Sequence, residues 1–188
     1  MTLAPLPPVR RVLTAIDAEG RSHIAEDGPS PAGFALPGSP FRSDNIWRTA
    51  AAPAPVEAAD TITAHRGVLP PPGGTVLRVI DFPPQVGSRE EQAALAAQVF
   101  ALLYPDADHH AGSERSAGMH TTYTVDYAIV LAGEIWAVMD RDETLLKAGD
   151  ILIQRGTAHS WENRGAAMAR VAFVLIDGTR DGLSRRST

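Results

Sequence analysis

The 188-residue chain contains no cysteine. That excludes disulfides, thiolate zinc sites and a cysteine nucleophile, and it leaves the redox compartment open. No apolar run approaches the ~20 residues that a membrane-spanning helix needs. The start, Met1-Thr-Leu-Ala-Pro5, has no basic stretch followed by an apolar one, so no secretory signal is read there and a cytoplasmic location is the default expectation. Lysine is nearly missing: every one of the 17 basic residues except Lys147 is arginine, and the 22 acidic residues outnumber them for a net charge of −5. An acidic chain without a basic stripe argues against nucleic acid as a partner. There is no Gly-x-Ser-x-Gly elbow and no phosphate loop. The pair Gly73-Gly74 precedes a strand, whereas a phosphate loop precedes a helix. Nucleotide binding and serine hydrolysis are set aside.

What is abundant is punctuation. Sixteen glycines and 15 prolines cut a chain that is 44% hydrophobic into short apolar runs, the pattern of many short strands. The length suits one structural domain with a sizeable core, read in three segments. Residues 1–82 carry accessory strands and loops: a hairpin from Val9–Ile16 and Ser22–Ala25, loop signals at Asp27–Pro31 and Pro37–Pro40, a strand within Phe41–Thr49, an irregular Ala/Pro-rich crossing over 50–73, and a strand at Thr75–Phe82. Residues 83–111 hold an inserted helix and a loop. Ser88 and Glu91 form a capping box, Leu95, Val99, Leu102 and Leu103 make one apolar face, and Pro105 ends the helix. The loop after it carries His109 and His110 and reads as solvated, with one of the two a minor candidate for a metal ligand. Residues 112–188 are dense in strands: Met119–Leu131, Glu134–Met139, Thr144–Leu146, Ile151–Gln154, His159–Asn163 and Arg170–Ile176. Such spacing predicts an all-β sandwich or barrel.

The chemistry concentrates in this last segment. Alternation along Met119–Leu131 places His120, Thr122, Thr124 and Asp126 on one face, continued by Ala128 and Val130. Tyr123 and Tyr127 fall on the other, as packing residues. A lone carboxylate in an apolar-flanked strand is costly, which favours a site role for Asp126. His159, Trp161 and Asn163 share a face of a later strand. Trp161 is a candidate substrate contact, with core packing the plainer reading.

His120-Thr-Thr-Tyr-Thr-Val-Asp126 with Gly133, and Gly149-Asp-Ile-Leu-Ile-Gln-Arg-Gly156-Thr-Ala-His159-Ser-Trp-Glu-Asn163, together resemble the paired motifs of the cupin superfamily. The resemblance covers about residues 112–177. Thr122 stands where the family has a second histidine, Asp126 is shorter than the usual glutamate, and Arg155 stands in the place of a proline. The resemblance implies an all-β cupin jelly-roll barrel with both motifs inside it. It implies a divalent transition metal (Fe, Mn, Zn or Ni) on His120, Asp126 and His159, with those residues also catalytic and Thr122, Thr124 and Trp161 contacting a small-molecule substrate. A two-imidazole, one-carboxylate set with open positions suits non-haem iron chemistry. The expected function is a metal-dependent enzyme, a dioxygenase, isomerase or decarboxylase, acting on an oxygenated organic compound. The alternatives are a metal-free isomerase or epimerase working by His/Asp acid–base chemistry, and a non-catalytic binding module. A homodimer is expected, because unpaired strand edges invite pairing.

Overall fold

The computed structural model describes residues 5–179; the reading of the first four residues and the ends of the first and third segments lie outside the described residues. In chain order the strands are β1 (Arg10–Ile16), β2 (Ser22–Pro29), β3 (Ala32–Ala35), β4 (Arg42–Thr49) and β5 (Thr75–Phe82), followed by the helix α1 (Arg89–Leu103). Then come β6 (Asp108–His109), β7 (His120–Thr121), β8 (Thr124–Ala132), β9 (Glu134–Met139), β10 (Glu143–Lys147), β11 (Ile151–Arg155), β12 (His159–Glu162) and β13 (Ala169–Asp177). β1 and β2 pair as a separate hairpin. The rest form a six-stranded sheet in the order β11-β8-β13-β5-β4-β3 and a five-stranded sheet in the order β10-β9-β12-β7-β6. This is the jelly-roll architecture, all-β with N-terminal strands and one inserted helix. Strands of both sheets supply one core: Val76 and Ile80 from β5, Val130 from β8, Ile135 from β9, and Val171, Phe173 and Leu175 from β13.

Local chemistry explains most of these elements. In α1, Ser88 Oγ accepts from the Glu91 amide while the Glu91 carboxylate accepts from the Ser88 amide at 2.7 Å. Glu90 and Glu91 complement the positive end of the helix dipole. The expected apolar face is only half realised. Val99, Phe100 and Leu103 pack on the core, whereas Leu95 and Leu102 stay exposed. The helix borders the cavity through Leu95, Ala96, Val99 and Phe100, so Leu95 faces open space there and only part of the apolar stripe meets the core. At the β8–β9 turn Gly133 has φ +70°, and a Cβ there would run into the Met168 carbonyl, so only glycine fits.

Three expectations are corrected. The loop signal at Asp27–Pro31 is overridden: β2 runs to Pro29, which pairs with Arg10 at the hairpin's end, and β3 follows. A proline is tolerated there because an end position needs no ladder amide. Met119–Leu131 is not one strand. The chain leaves the five-stranded sheet at Thr121 and enters the six-stranded sheet at Thr124, which pairs with Asp177, while the Gly178 amide holds the Tyr123 carbonyl in the crossing. The His109–His110 loop is not simply solvated, since His109 sits in β6 opposite His120 and both histidines are half-buried. The Ala/Pro-rich crossing is irregular as expected, but it is pinned by a 3-10 turn at Ile62–Ala64 whose Ile62 is fully buried. No helix of the described residues is long and apolar enough to cross a membrane.

Candidate functional site

Two strand pairings build the polar end of the site. β12 pairs with β7 so that His159 lies directly opposite His120, and β6 places His109 opposite His120 on its other side. Directly opposed residues point to the same face. The rings of His120 and His159 are accordingly 4.2 Å apart between centroids, and Phe100 of α1 stands 5.0 Å from His120. His120 Nδ1 is 2.9 Å from the Gly118 carbonyl, and His159 Nδ1 is 3.0 Å from the Thr157 carbonyl. A carbonyl only accepts, so each imidazole carries its proton on Nδ1 and keeps a lone pair on Nε2. Gln154 Nε2, 2.9 Å from His159 Nδ1, directs its protons at the Thr157 carbonyl and hydroxyl. Burial, with the neighbouring His159 second, pushes the His120 pKa down to about 3; burial likewise takes His159 down to about 4. Both rings are neutral at physiological pH.

Asp126 comes from the other sheet. It is 4% exposed, and its Oδ1 is fully buried without a hydrogen-bond partner. Burial raises its pKa to about 6, against the opposing effects of the Thr124 hydroxyl and the Arg78 charge. Thr124 Oγ1 donates to Thr122 Oγ1 at 2.8 Å, so the two hydroxyls are coupled.

These groups border a cavity of about 800 Å³. Its remaining wall is mostly apolar and aromatic. Phe41, Phe82, Phe173 and Trp161 follow one another edge to face, with Trp161–Phe173 at 5.2 Å and His159–Trp161 at 5.9 Å. Of the residues singled out from sequence, His120, Thr122, Asp126, His159 and Trp161 line the cavity, whereas Thr124 is buried behind Thr122. Among the described residues no three His, Asp or Glu side chains are gathered closely enough to hold an ion together, so His120, Asp126 and His159 are not drawn to one coordination point. His109 does not complete the set: its ring stacks on Phe100 at 4.2 Å and its Nε2 lies 3.0 Å from the Ala117 carbonyl. His110 Nε2 is 3.2 Å from Thr121 Oγ1.

For a transition metal, the donor chemistry fits at two positions. The imidazoles are neutral, their Nδ1 protons are tied to carbonyls, and both Nε2 atoms are unengaged, as metal-ligating histidines require. The third position is unmet by geometry, although Asp126 Oδ1 is an orphaned acceptor on the same cavity.

Sequence reasoning missed Arg78, which lines the cavity at 1% exposure. The signal was present: in the strand Thr75–Phe82 the charge shares the inward parity of Val76 and Ile80. Phe100 is the second residue sequence reasoning misses, because it lies beside the stripe of Leu95, Val99, Leu102 and Leu103 and not within it.

The chain is similar in sequence to two fungal proteins over most of its length. The phomopsin biosynthesis cluster protein C' of Diaporthe leptostromiformis is 31% identical over 175 residues, covering 89% of this chain and 77% of its own. The cupin-domain-containing oxidoreductase fogC of Aspergillus ruber is 28% identical over 182 residues, 93% of this chain and 75% of that one. No family model matches the chain. Among solved structures, a cupin 2 conserved barrel domain protein from Salinispora arenicola matches with a TM-score of 0.41 at 14% identity, over 77% of this chain and 82% of that chain. With one relative 31% identical over most of the chain, another named for its cupin domain and 28% identical over 93% of it, both motif histidines facing each other in one cavity and the two-sheet jelly roll around them, the chain belongs to the cupin superfamily.

Proposed function

We propose that the protein is a small-molecule enzyme of the cupin type, in which His120 and His159 take protons from a largely apolar substrate and Asp126 returns or relays them. One observation carries this reading: two imidazoles with unengaged Nε2 lone pairs and a carboxyl with an unpartnered buried oxygen border a single aromatic-walled cavity. The Asp126 carboxyl, titrating near 6, is matched to proton transfer near neutral pH, and burial keeps both imidazoles in the neutral form that can accept a proton. The cavity volume suits a ligand of drug-like size. Thr122, held by Thr124, offers a hydroxyl to a substrate oxygen, and Trp161 offers a ring face or edge.

A second reading is favoured by the Nδ1 ties and by the relatives named oxidoreductases. In it, His120 and His159 hold a divalent transition metal, and Asp126 is the carboxylate that lines the same cavity. Such an ion would supply Lewis-acid or redox chemistry toward an oxygenated substrate. In either reading Phe100 and the aromatic wall keep water from the imidazoles.

The test is depletion of compounds from a small-molecule extract, followed by mass spectrometry, with the protein prepared both without chelator and after chelation. Consumption of a compound by wild type but not by His159→Ala supports the enzyme. Activity unchanged by chelation supports the acid–base reading, and activity restored only by one added metal supports the second. Indifference of turnover to both His120→Ala and His159→Ala would sink the site altogether. We further propose a homodimer formed through the outer face of β8 and β11, where Tyr127, Leu131, Ile151 and Ile153 are exposed.

A further inference from the structure

The molecule treats its buried and half-buried arginines in two ways. Arg11, 4% exposed, is ion-paired with Glu26 and with Asp60 at 2.7 Å. Arg42 pairs with Asp44, and Arg170 with Asp81 at 2.6 Å. Arg78, the most deeply buried of them, has no carboxylate within ion-pair distance among the described residues. Its partners are neutral. Nε donates to Asn45 Oδ1 at 2.7 Å, Nη2 donates to the Gly67 carbonyl at 2.6 Å, and His65 Nε2 lies 3.2 Å from Nη2. The Tyr104 ring lies 4.9 Å from the guanidinium carbon. Burial first and the Arg78 charge second push the His65 pKa down to about 4, so this ring brings no charge of its own. Asp106 and Asp126 both contribute to the field at Arg78, but the Asp106 oxygens already accept from the Val68 and Leu69 amides, and Asp126, on the same cavity, is not within ion-pair distance. Nη1 takes part in none of these hydrogen bonds.

A guanidinium cannot shed its proton, and a buried cation without an anion is expensive. The fold could have neutralised Arg78 as it did Arg11, but it leaves the group facing a cavity. A planar fork of donors matches a carboxylate. We infer that Arg78 is the anchor for a carboxylate on the molecule that the cavity takes, making the substrate class an apolar, aromatic-sized organic acid. This rests on the reading of the cavity as a substrate site. Arg78 is a specificity residue: it selects and orients the acid, while the proton chemistry belongs to His120, His159 and Asp126.

The probes are 2-naphthoate and its neutral counterpart 2-naphthamide, titrated calorimetrically into the full chain near neutral pH. Wild type binds the carboxylate roughly ten- to a hundredfold tighter than the amide, the range for a hydrogen bond to a charged group. Arg78→Met, of similar length and apolar, binds the two alike and keeps the amide affinity. Equal affinities in wild type, no carboxylate binding at millimolar concentration, or a preference that survives in Arg78→Met each overturn the inference. Should Arg78→Met not fold, Arg78→Lys decides: a point charge without the fork shrinks the preference but does not abolish it, and an unchanged preference counts against the anchor. Repeating the titrations with His159→Ala separates the two claims. A carboxylate preference retained there without turnover keeps Arg78 as anchor whatever becomes of the catalytic reading. Turnover of uncharged compounds by a wild type lacking the preference removes Arg78 alone.

Discussion

The two faces of β8 obey one periodicity and meet opposite fates. Thr124, Asp126, Ala128 and Val130 point inward and are all buried. Val125, Tyr127 and Leu131 point outward and are exposed, although they are the more apolar set. Hydrophobicity alone would have turned the strand around. The inward face is fixed instead by its neighbours, because β8 lies between β11 and β13 and its even positions join the shared core with Val171 and Phe173. The inner face trades apolar area for polar atoms at the cavity. The outer face carries apolar area that nothing in a single copy covers.

The sharpest break of this comparison is functional. His120→Ala and His159→Ala each lower turnover by about 10²–10⁴, the usual worth of a positioned acid or base, whereas Tyr127→Ala on the outer face leaves it within about twofold when protein is compared at equal folded concentration. Steady-state rates on the compound found by depletion provide the check. A large loss from Tyr127→Ala would mean that the outer face takes part in the site.

The next effect concerns stability and has a definite sign. Asp126 titrates near 6 in the folded protein and at 3.8 in the reference state. The unfolded chain therefore ionises first. The Asp126 contribution is nil below about pH 4, lowers stability as pH rises to about 6, and stays unfavourable beyond. At about 1.4 kcal/mol per unit, the penalty above pH 6 amounts to about 3 kcal/mol. Asp126→Asn removes it, so that variant is more stable than wild type at alkaline pH and equal to it at acid pH, while losing turnover. His120 and His159 work in the opposite direction. Their folded values lie below 6.5, so their contribution is complete above about pH 6.5 and is lost as pH falls toward 4 and 3. Denaturant titrations of wild type and Asp126→Asn across this range read both signs.

A smaller effect separates the faces by packing. Val130→Ala removes about two buried methyl equivalents from the inner face and costs about 2 kcal/mol once the residual cavity is included. Leu131→Ala, one residue on, stays within about 0.5 kcal/mol, as exposed substitutions do. Equal costs would mean that the outer face is packed by something a single chain does not contain.

Much of this was readable in the sequence, for physical reasons. The alternation of small polar and apolar residues set the parity of β8 correctly, and the Ser88–Glu91 pair located the helix start, because both signals are local. The sheet switch at Thr122–Tyr123 was hidden, because an extended backbone continues through it and only long-range pairing reveals it. His109 was hidden for the same reason: a two-residue strand has no periodicity of its own, and its place beside His120 depends on β7. Arg78 lay in a correctly expected strand at an inward position, yet a charge among valines and isoleucines reads as an exception until Asn45, Gly67 and His65, all distant in sequence, are brought around it.

The smallest expected effect per residue tests what covers the outer face. β11 is the edge strand of its sheet, and its Ile151 and Ile153 are 61% and 50% exposed beside Leu131 and Tyr127. An unpaired edge flanked by apolar side chains pairs readily with another copy, and charge on the edge is how such pairing is blocked. If the proposed homodimer forms through this edge, Ile153→Lys shifts it to monomer in sedimentation at micromolar concentration, while the unfolding free energy of the monomeric chain changes by no more than about 0.5 kcal/mol. A wild type already monomeric at that concentration removes the homodimer, and the outer face of β8 then remains an apolar surface in water, the one respect in which its two faces would be equally unpartnered.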